Sequence, residues 1–254
     1  MPRKPSVQLY SVRDAAEQDL AGAVARLAAA GLTQVEPYAF HTRAAELKDA
    51  LAAAGVTAPS GHAPVIDAQD PREVFEAANL LGITTVIDPF IPAERWRTAD
   101  DVARIADRVN ELSALAHEYV LEFGYHNHHW ELETTIEGRS ALEVFADRLA
   151  PGVVLEVDTF WATVGGADTP ALLRSLGDRV KLIHVKDGAK STDTSTQQPA
   201  GRGEIDVRAI LAAAPQALRV IEFDAYAGDV FDGIAASLEW LQQNDPADGG
   251  EGDA

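Results

Sequence analysis

The sequence predicts a single (β/α)8 barrel, an α/β fold, on three observations. Short apolar runs alternate eight times with longer segments of helical spacing, and no linker-like break interrupts them. The 254 residues are also the length that eight such units need. An open doubly wound sheet shares the alternation, but neither G-x-G-x-x-G nor G-x-x-x-x-G-K-[ST] follows an apolar run. The barrel is expected over residues 1–243.

The runs rich in Val, Ile and Leu are read as strands. Val7–Tyr10 comes first and is followed by "DLAGAVARLAAAG", whose apolar residues recur at helical intervals. Gln34–Pro37 precedes "HTRAAELKDALAAAG", Thr57–His62 precedes "DPREVFEAANLLG", and Thr84–Pro89 precedes "TADDVARIADRVNELSALAHE". Several of these helices end in Gly, the expected stop. Strands five to eight are Val120–His126, Val153–Asp158, Val180–Lys186 and Arg219–Phe223, and "DVFDGIAASLEWLQQ" supplies a closing helix. The acidic tail, residues 244–254 ("NDPADGGEGDA"), offers little to bury and is expected to be disordered. Its removal from Asp245 onward is expected to leave the fold intact.

Composition narrows the function. With 21 basic against 40 acidic residues the formal charge is −19, which repels nucleic acid and anionic membranes. No apolar run approaches the roughly 20 residues of a membrane span. The start "MPRKPSVQLY" has no apolar signal core, so a cytoplasmic location is expected. The absence of cysteine excludes disulfides and thiolate metal sites.

In a (β/α)8 barrel the chemistry sits at the C-terminal ends of the strands. Those ends read Glu36 in "VEPY", His62 in "SGHAP", Asp88 in "VIDPF" and His126 in "GYHNH". They continue with Glu156 and Asp158 in "LEVDTFW", His184 and Asp187 in "IHVKD", and Glu222 and Asp224 in "IEFDAY". The stretch "LEFGYHNHHWELE" adds His128 and His129, and strand alternation points His126 and His128 the same way. Imidazole and carboxylate donors without sulfur suit Mn2+, Mg2+, Co2+ or Zn2+.

At these strand ends the chain resembles the sugar phosphate isomerase/epimerase family, the xylose isomerase-like barrels. The resemblance runs from "VQLYSVRD" through "GYHNHHWE", "LEVDTFW", "IHVKD", "GRGEID" and "IEFD" to "SLEWL". It implies a barrel with one divalent metal among ligands from strands five to eight, and it makes Asp158, His184 and Glu222 three of those ligands. Many members carry a strand-five Glu at the position that Gly124 occupies here. Glu156, two residues before Asp158 and on the same face, is the favoured substitute, with Gly124 leaving room for it. Glu122 is a second candidate. His126 and His128 are expected to serve substrate and proton transfer, with metal ligation as the alternative.

The chemistry so implied is removal of a proton next to a carbonyl, through an enediolate, leading to epimerisation or aldose–ketose isomerisation. Loss of a β-substituent instead makes the protein a lyase or dehydratase. Glu156, Glu222 and His126 are the expected catalytic groups. His62, His128, Glu131, Trp161 and Lys186 are the expected contacts to a small carbohydrate. A non-catalytic sugar-binding barrel is a further alternative, whereas the charge speaks against a DNA-repair nuclease resembling endonuclease IV. The polar stretch "DGAKSTDTSTQQPAGRGEID" after strand seven is a candidate lid.

Overall fold

Seven parallel strands and one bridging segment close into the expected barrel. The computed structural model describes residues 4–246. Around the sheet the strands run Ser6–Val7, Leu218–Ile221, Val180–Val185, Val153–Asp158, Glu122–His126, Thr85–Asp88 and Ser60–His62. The gap between the first and last is spanned by residues 34–38 through parallel bridges from Gln8 to Glu36, Gln34 to Thr57 and Tyr38 to His62. The second expected strand is therefore present as single bridges, not as a ladder. Pro37 lacks an N–H to donate, so this segment cannot complete a regular ladder. The first strand is also shorter than expected, because Leu9–Val12 turns into a 3-10 helix.

The helices cover the outside of the barrel. The longest, Ala99–Glu118, starts with a capping box between Thr98 and Asp101. It buries Val102, Ile105, Val109 and Leu112 at spacings of three and four. Each such side chain contributes about 1.5–3 kcal/mol on burial. Gly55 and Gly82 end their helices at φ 67° and 72°, the left-handed conformation expected of a glycine stop.

Inside the barrel, Ile87, Val154, Leu182 and Val220 form an apolar plug. Because strand side chains alternate, the next inward positions lie two residues on. From Gly124, Val154, Leu182 and Val220 that step reaches His126, Glu156, His184 and Glu222. A second step reaches His128, Asp158, Lys186 and Asp224. One apolar layer thus supports two polar layers toward the C-terminal ends, and the Glu222 carboxylate reaches from its position in the first to Lys186 of the second.

Two expected features take definite form here. The segment after strand seven forms a short hairpin, pairing Asp187–Gly188 with Gln197–Gln198. It is fastened by Gln197, whose amide donates to Asp224 Oδ2 at 2.7 Å and accepts from Asp224 N at 2.8 Å. At the C-terminus the last helix runs Val230–Asn244, and Asp245 is buried against Arg219. The expected boundary at 243 thus falls inside a packed helix, whereas residues 247–254 of the tail lie outside the described residues.

Candidate active site

The deeper polar layer is built around one carboxylate. Glu156 Oε2 lies 2.5 Å from His62 Nε2, 3.0 Å from His126 Nδ1 and 3.2 Å from His184 Nε2. Beside it, Glu36 Oε1 lies 2.9 Å from His184 Nε2 and 3.2 Å from His62 Nε2. Glu36 also accepts from Gln8 Nε2 at 2.9 Å and from the Ser60 hydroxyl. All these groups are buried.

Protonation in this layer follows from its charges. Burial disfavours an imidazolium at His62, but Glu156 and Glu36 outweigh it and push its pKa up to about 10. The same competition, with Glu156 and Glu222, holds His184 well above its ordinary value. At His126 burial wins, reinforced by the neighbouring His184, and the ring stays neutral.

The layer nearer the mouth is organised by an ammonium. Lys186 Nζ lies 2.8 Å from Asp158 Oδ2, 2.5 Å from Glu222 Oε2 and 2.8 Å from Asp224 Oδ2. Burial opposes its charge, yet Asp158, Asp224 and Glu222 hold its pKa well above the ordinary lysine value. Burial likewise opposes ionisation of Glu222, but Lys186 and His184 keep it well below the usual carboxylate range. Burial lifts Asp158 above its ordinary value despite Lys186. His184 links the layers, since its Nδ1 lies 2.7 Å from Glu222 Oε2.

Above them opens a cavity of about 440 Å3. Its walls include Tyr10, Tyr38, Phe90 and Trp161, with His62, His126, His128, Lys186, Glu222 and Asp224 among its other lining residues. Another cavity of about 400 Å3, between Leu132, Glu143 and Ala171, has no comparable cluster, and its Glu143 and Asp168 are occupied as helix caps. Volume alone does not select the site; convergent ionisable groups do.

Of the expected residues, His62, His126, His128, Trp161, Lys186 and Glu222 line the cavity. Glu131 is not among its lining residues: it is buried and accepts from Tyr125 Oη at 2.6 Å and His128 N at 2.9 Å. His128 stacks on Trp130, with ring centroids 4.3 Å apart. Glu122 is exposed at the start of its strand and accepts from Thr85 Oγ1, four residues before His126. Asp88 accepts the backbone N–H groups of Val65 and Ile66 in the loop after His62, and Asp187 accepts those of Gly188 and Ile205 in its own loop. The room expected at Gly124 is filled by Val154: a Cβ there would lie 2.4 Å from Val154 O and 2.7 Å from Val154 Cγ2.

Two groups of side chains could hold a metal ion: His62, His126, Glu156 and His184, and separately Asp158, His184 and Glu222. The four expected ligands Glu156, Asp158, His184 and Glu222 are thus divided between the groups. Among the described residues, Glu156 Oε1 and Asp158 Oδ2, one in each group, are buried carboxylate oxygens without a hydrogen-bond partner, which suits a cation-binding role. Of the wall residues, Trp161 is an expected substrate contact, whereas Tyr10, Tyr38 and Phe90, like Glu36, carry no expected role in the sequence. Glu36 carried the strand-end signal, and Tyr10 and Tyr38 follow Gln8 and Glu36 by the same two-residue step.

A closed parallel barrel with its ionisable cluster at the C-terminal strand ends defines a TIM-barrel fold. The chain belongs to the xylose isomerase-like TIM barrel family, whose model matches residues 24–244. It is similar to a solved sugar phosphate isomerase/epimerase from Parabacteroides distasonis, with a TM-score of 0.82 and 21% identity over 95% of this chain and 96% of that one. It is also similar to the probable 3-DHS dehydratase AsbF of Bacillus anthracis, with TM-score 0.69 and 12% identity over 94% and 98% of the chains. The zinc-bound IolI protein matches with TM-score 0.72 and 15% identity over 94% and 97%. At these identities the likeness shows the fold. No curated protein sequence matches the chain.

Proposed function

We propose that the protein is a divalent-metal-dependent isomerase or epimerase of a sugar, keto-sugar or inosose. It removes a proton from the carbon next to a carbonyl. One juxtaposition carries this reading: the Glu222 carboxylate and the Lys186 ammonium, 2.5 Å apart, line a cavity of about 440 Å3 with aromatic walls. Aromatic faces suit the C–H faces of a sugar ring, and ionised groups suit its hydroxyls.

Glu222 is the base, ionised and ready to accept the proton. Lys186 keeps its charge and stabilises the oxyanion that develops as the proton leaves. Asp158, which shares Lys186 with Glu222, returns a proton. Return to the opposite face gives the epimer; return to the neighbouring carbon gives the isomer. Glu156 and His126 lie deeper, engaged with each other, and take no part in proton transfer on this reading. A divalent ion would be held by residues from the two groups that share His184, and when bound it supplies Lewis-acid polarisation of the carbonyl.

The same proton abstraction followed by loss of a β-hydroxyl is dehydration. The similarity to a probable dehydratase supports this as the second reading.

The test is incubation of the metal-loaded protein with a panel of keto-sugars and inososes in D2O. Deuterium should enter at a carbon next to the carbonyl, and Glu222→Gln should slow its entry by about 100-fold or more. An unsaturated product would select dehydration. Absence of exchange and of elimination with every compound would overturn the enzyme reading.

A further inference from the structure

We propose that the divalent ion binds in the deeper layer, to Glu156 with His62, His126 and His184, while the Lys186 ammonium holds the carboxylates at the mouth. The inference rests on the proposed function only in taking one divalent ion per chain.

The first argument is convergence. Three imidazole nitrogens from three strands approach the same oxygen, Glu156 Oε2, at 2.5, 3.0 and 3.2 Å. Tetrahedral donors with bonds of about 2.1 Å stand about 3.4 Å apart. These separations need to open by less than about 1 Å to admit an ion. The other oxygen, Glu156 Oε1, is buried and has no hydrogen-bond partner among the described residues; Asp158 Oδ2 at the mouth also lacks one, but it lies 2.8 Å from the Lys186 ammonium.

The second argument is charge. Glu36 and Glu156 are both buried in this layer, and their ion-pair contacts among the described residues are to histidines, not to lysine or arginine. One divalent ion balances both carboxylates and leaves the imidazoles free to ligate in their neutral form. The outer side of the layer fits this arrangement. With His184 Nε2 turned toward the ion, its Nδ1 lies 2.7 Å from Glu222 Oε2, the carboxylate contact that orients a ligating histidine.

The third argument is competition at the mouth. An ion held by Asp158, His184 and Glu222 would compete with Lys186 Nζ, which already approaches Asp158 Oδ2 at 2.8 Å and Glu222 Oε2 at 2.5 Å. The Lys186 side chain has no exposed surface, so the ion would have to displace a buried ammonium from three acids. Strand five also brings no carboxylate to the mouth from position 124, which is a glycine packed against Val154. Three imidazoles with one carboxylate favour Zn2+ or Co2+ over Mg2+.

The experiment strips the full chain with a chelator and titrates it with Co2+. Stoichiometry is followed by calorimetry, and the imidazole ligands are counted by X-ray absorption. One ion with three imidazoles is expected. His62→Ala should weaken Co2+ binding by more than about 100-fold, whereas Asp158→Asn should stay within about 100-fold. Thermal melting of each variant checks the fold, and His62→Gln replaces the alanine variant if that one unfolds. A single imidazole per ion, or full affinity in the folded His62 variant, overturns the deep site and puts the ion at the mouth. No bound ion overturns it as well. Deuterium exchange reports separately: three imidazoles without exchange overturns the catalytic reading alone, and one imidazole with exchange overturns only this inference.

Discussion

Glu131 shows how a single residue can carry the signature of a site and serve another purpose. Its carboxylate is buried between Tyr125 Oη and His128 N, fixing the turn that follows strand five. Burial lifts its pKa to about 7, against hydrogen bonds that work the other way. The sign follows from linkage. Between about 4.5, the unfolded value, and about 7 the folded chain binds more protons than the unfolded one, so this group lowers stability as pH rises through that window. His128, held at about 3 mainly by burial, acts oppositely below its ordinary value of 6.5. The Glu131 contribution is therefore read as a difference. Relative to the parent, Glu131→Gln should gain melting temperature between pH 5 and pH 8, and an unchanged difference would count against a buried, protonated Glu131.

At the scale of elements, strand five is closely packed at its inward glycine. Gly124 stands in the inward register beside Val154, and the plug residue Ile87 closes the other side at 3.0 Å from an added Cβ. The glycine thus lets strands five and six approach, instead of making room for Glu156. Gly124→Ala should cost about 1–3 kcal/mol by overpacking. It should also loosen the deeper layer, since His126 lies two residues along the same strand. Denaturant unfolding measures the first effect and Co2+ affinity the second. A neutral substitution would show that strand five is free to shift.

Over the whole molecule, the end of the chain is tied to the bottom of the barrel. Arg219, at the start of strand eight, is buried and reaches Asp245 through Nε at 2.7 Å and Nη2 at 3.0 Å. It also donates to the carbonyls of Leu211, Ala214 and Ala217. Truncation from Asp245 onward removes the counter-charge of a buried guanidinium, which costs about 3–5 kcal/mol. For a chain of this size that is a fall in melting temperature of about 10 °C. An unchanged melting temperature would restore the expectation that the tail is dispensable. Asp245 is the first residue past the helix, in a segment with no apolar periodicity, so no local pattern signals its buried partner.

The barrel was legible because alternation is local: strand and helix periods repeat along the chain, and the two-residue step delivers each polar group to an inward position. His62, His126, Glu156, Asp158, His184 and Glu222 were recognisable for that reason. The division of labour among them was decided only in three dimensions. His184 turns one nitrogen to Glu156 and the other to Glu222, and Lys186 meets acids from strands six and eight, up to 38 residues away in sequence. Gly124 is closed by a side chain 30 residues further on. Spacing along a strand fixes which face a residue takes, whereas barrel closure fixes which residues from different strands share a layer, and the charges in that layer then set which groups can hold a proton or a metal ion.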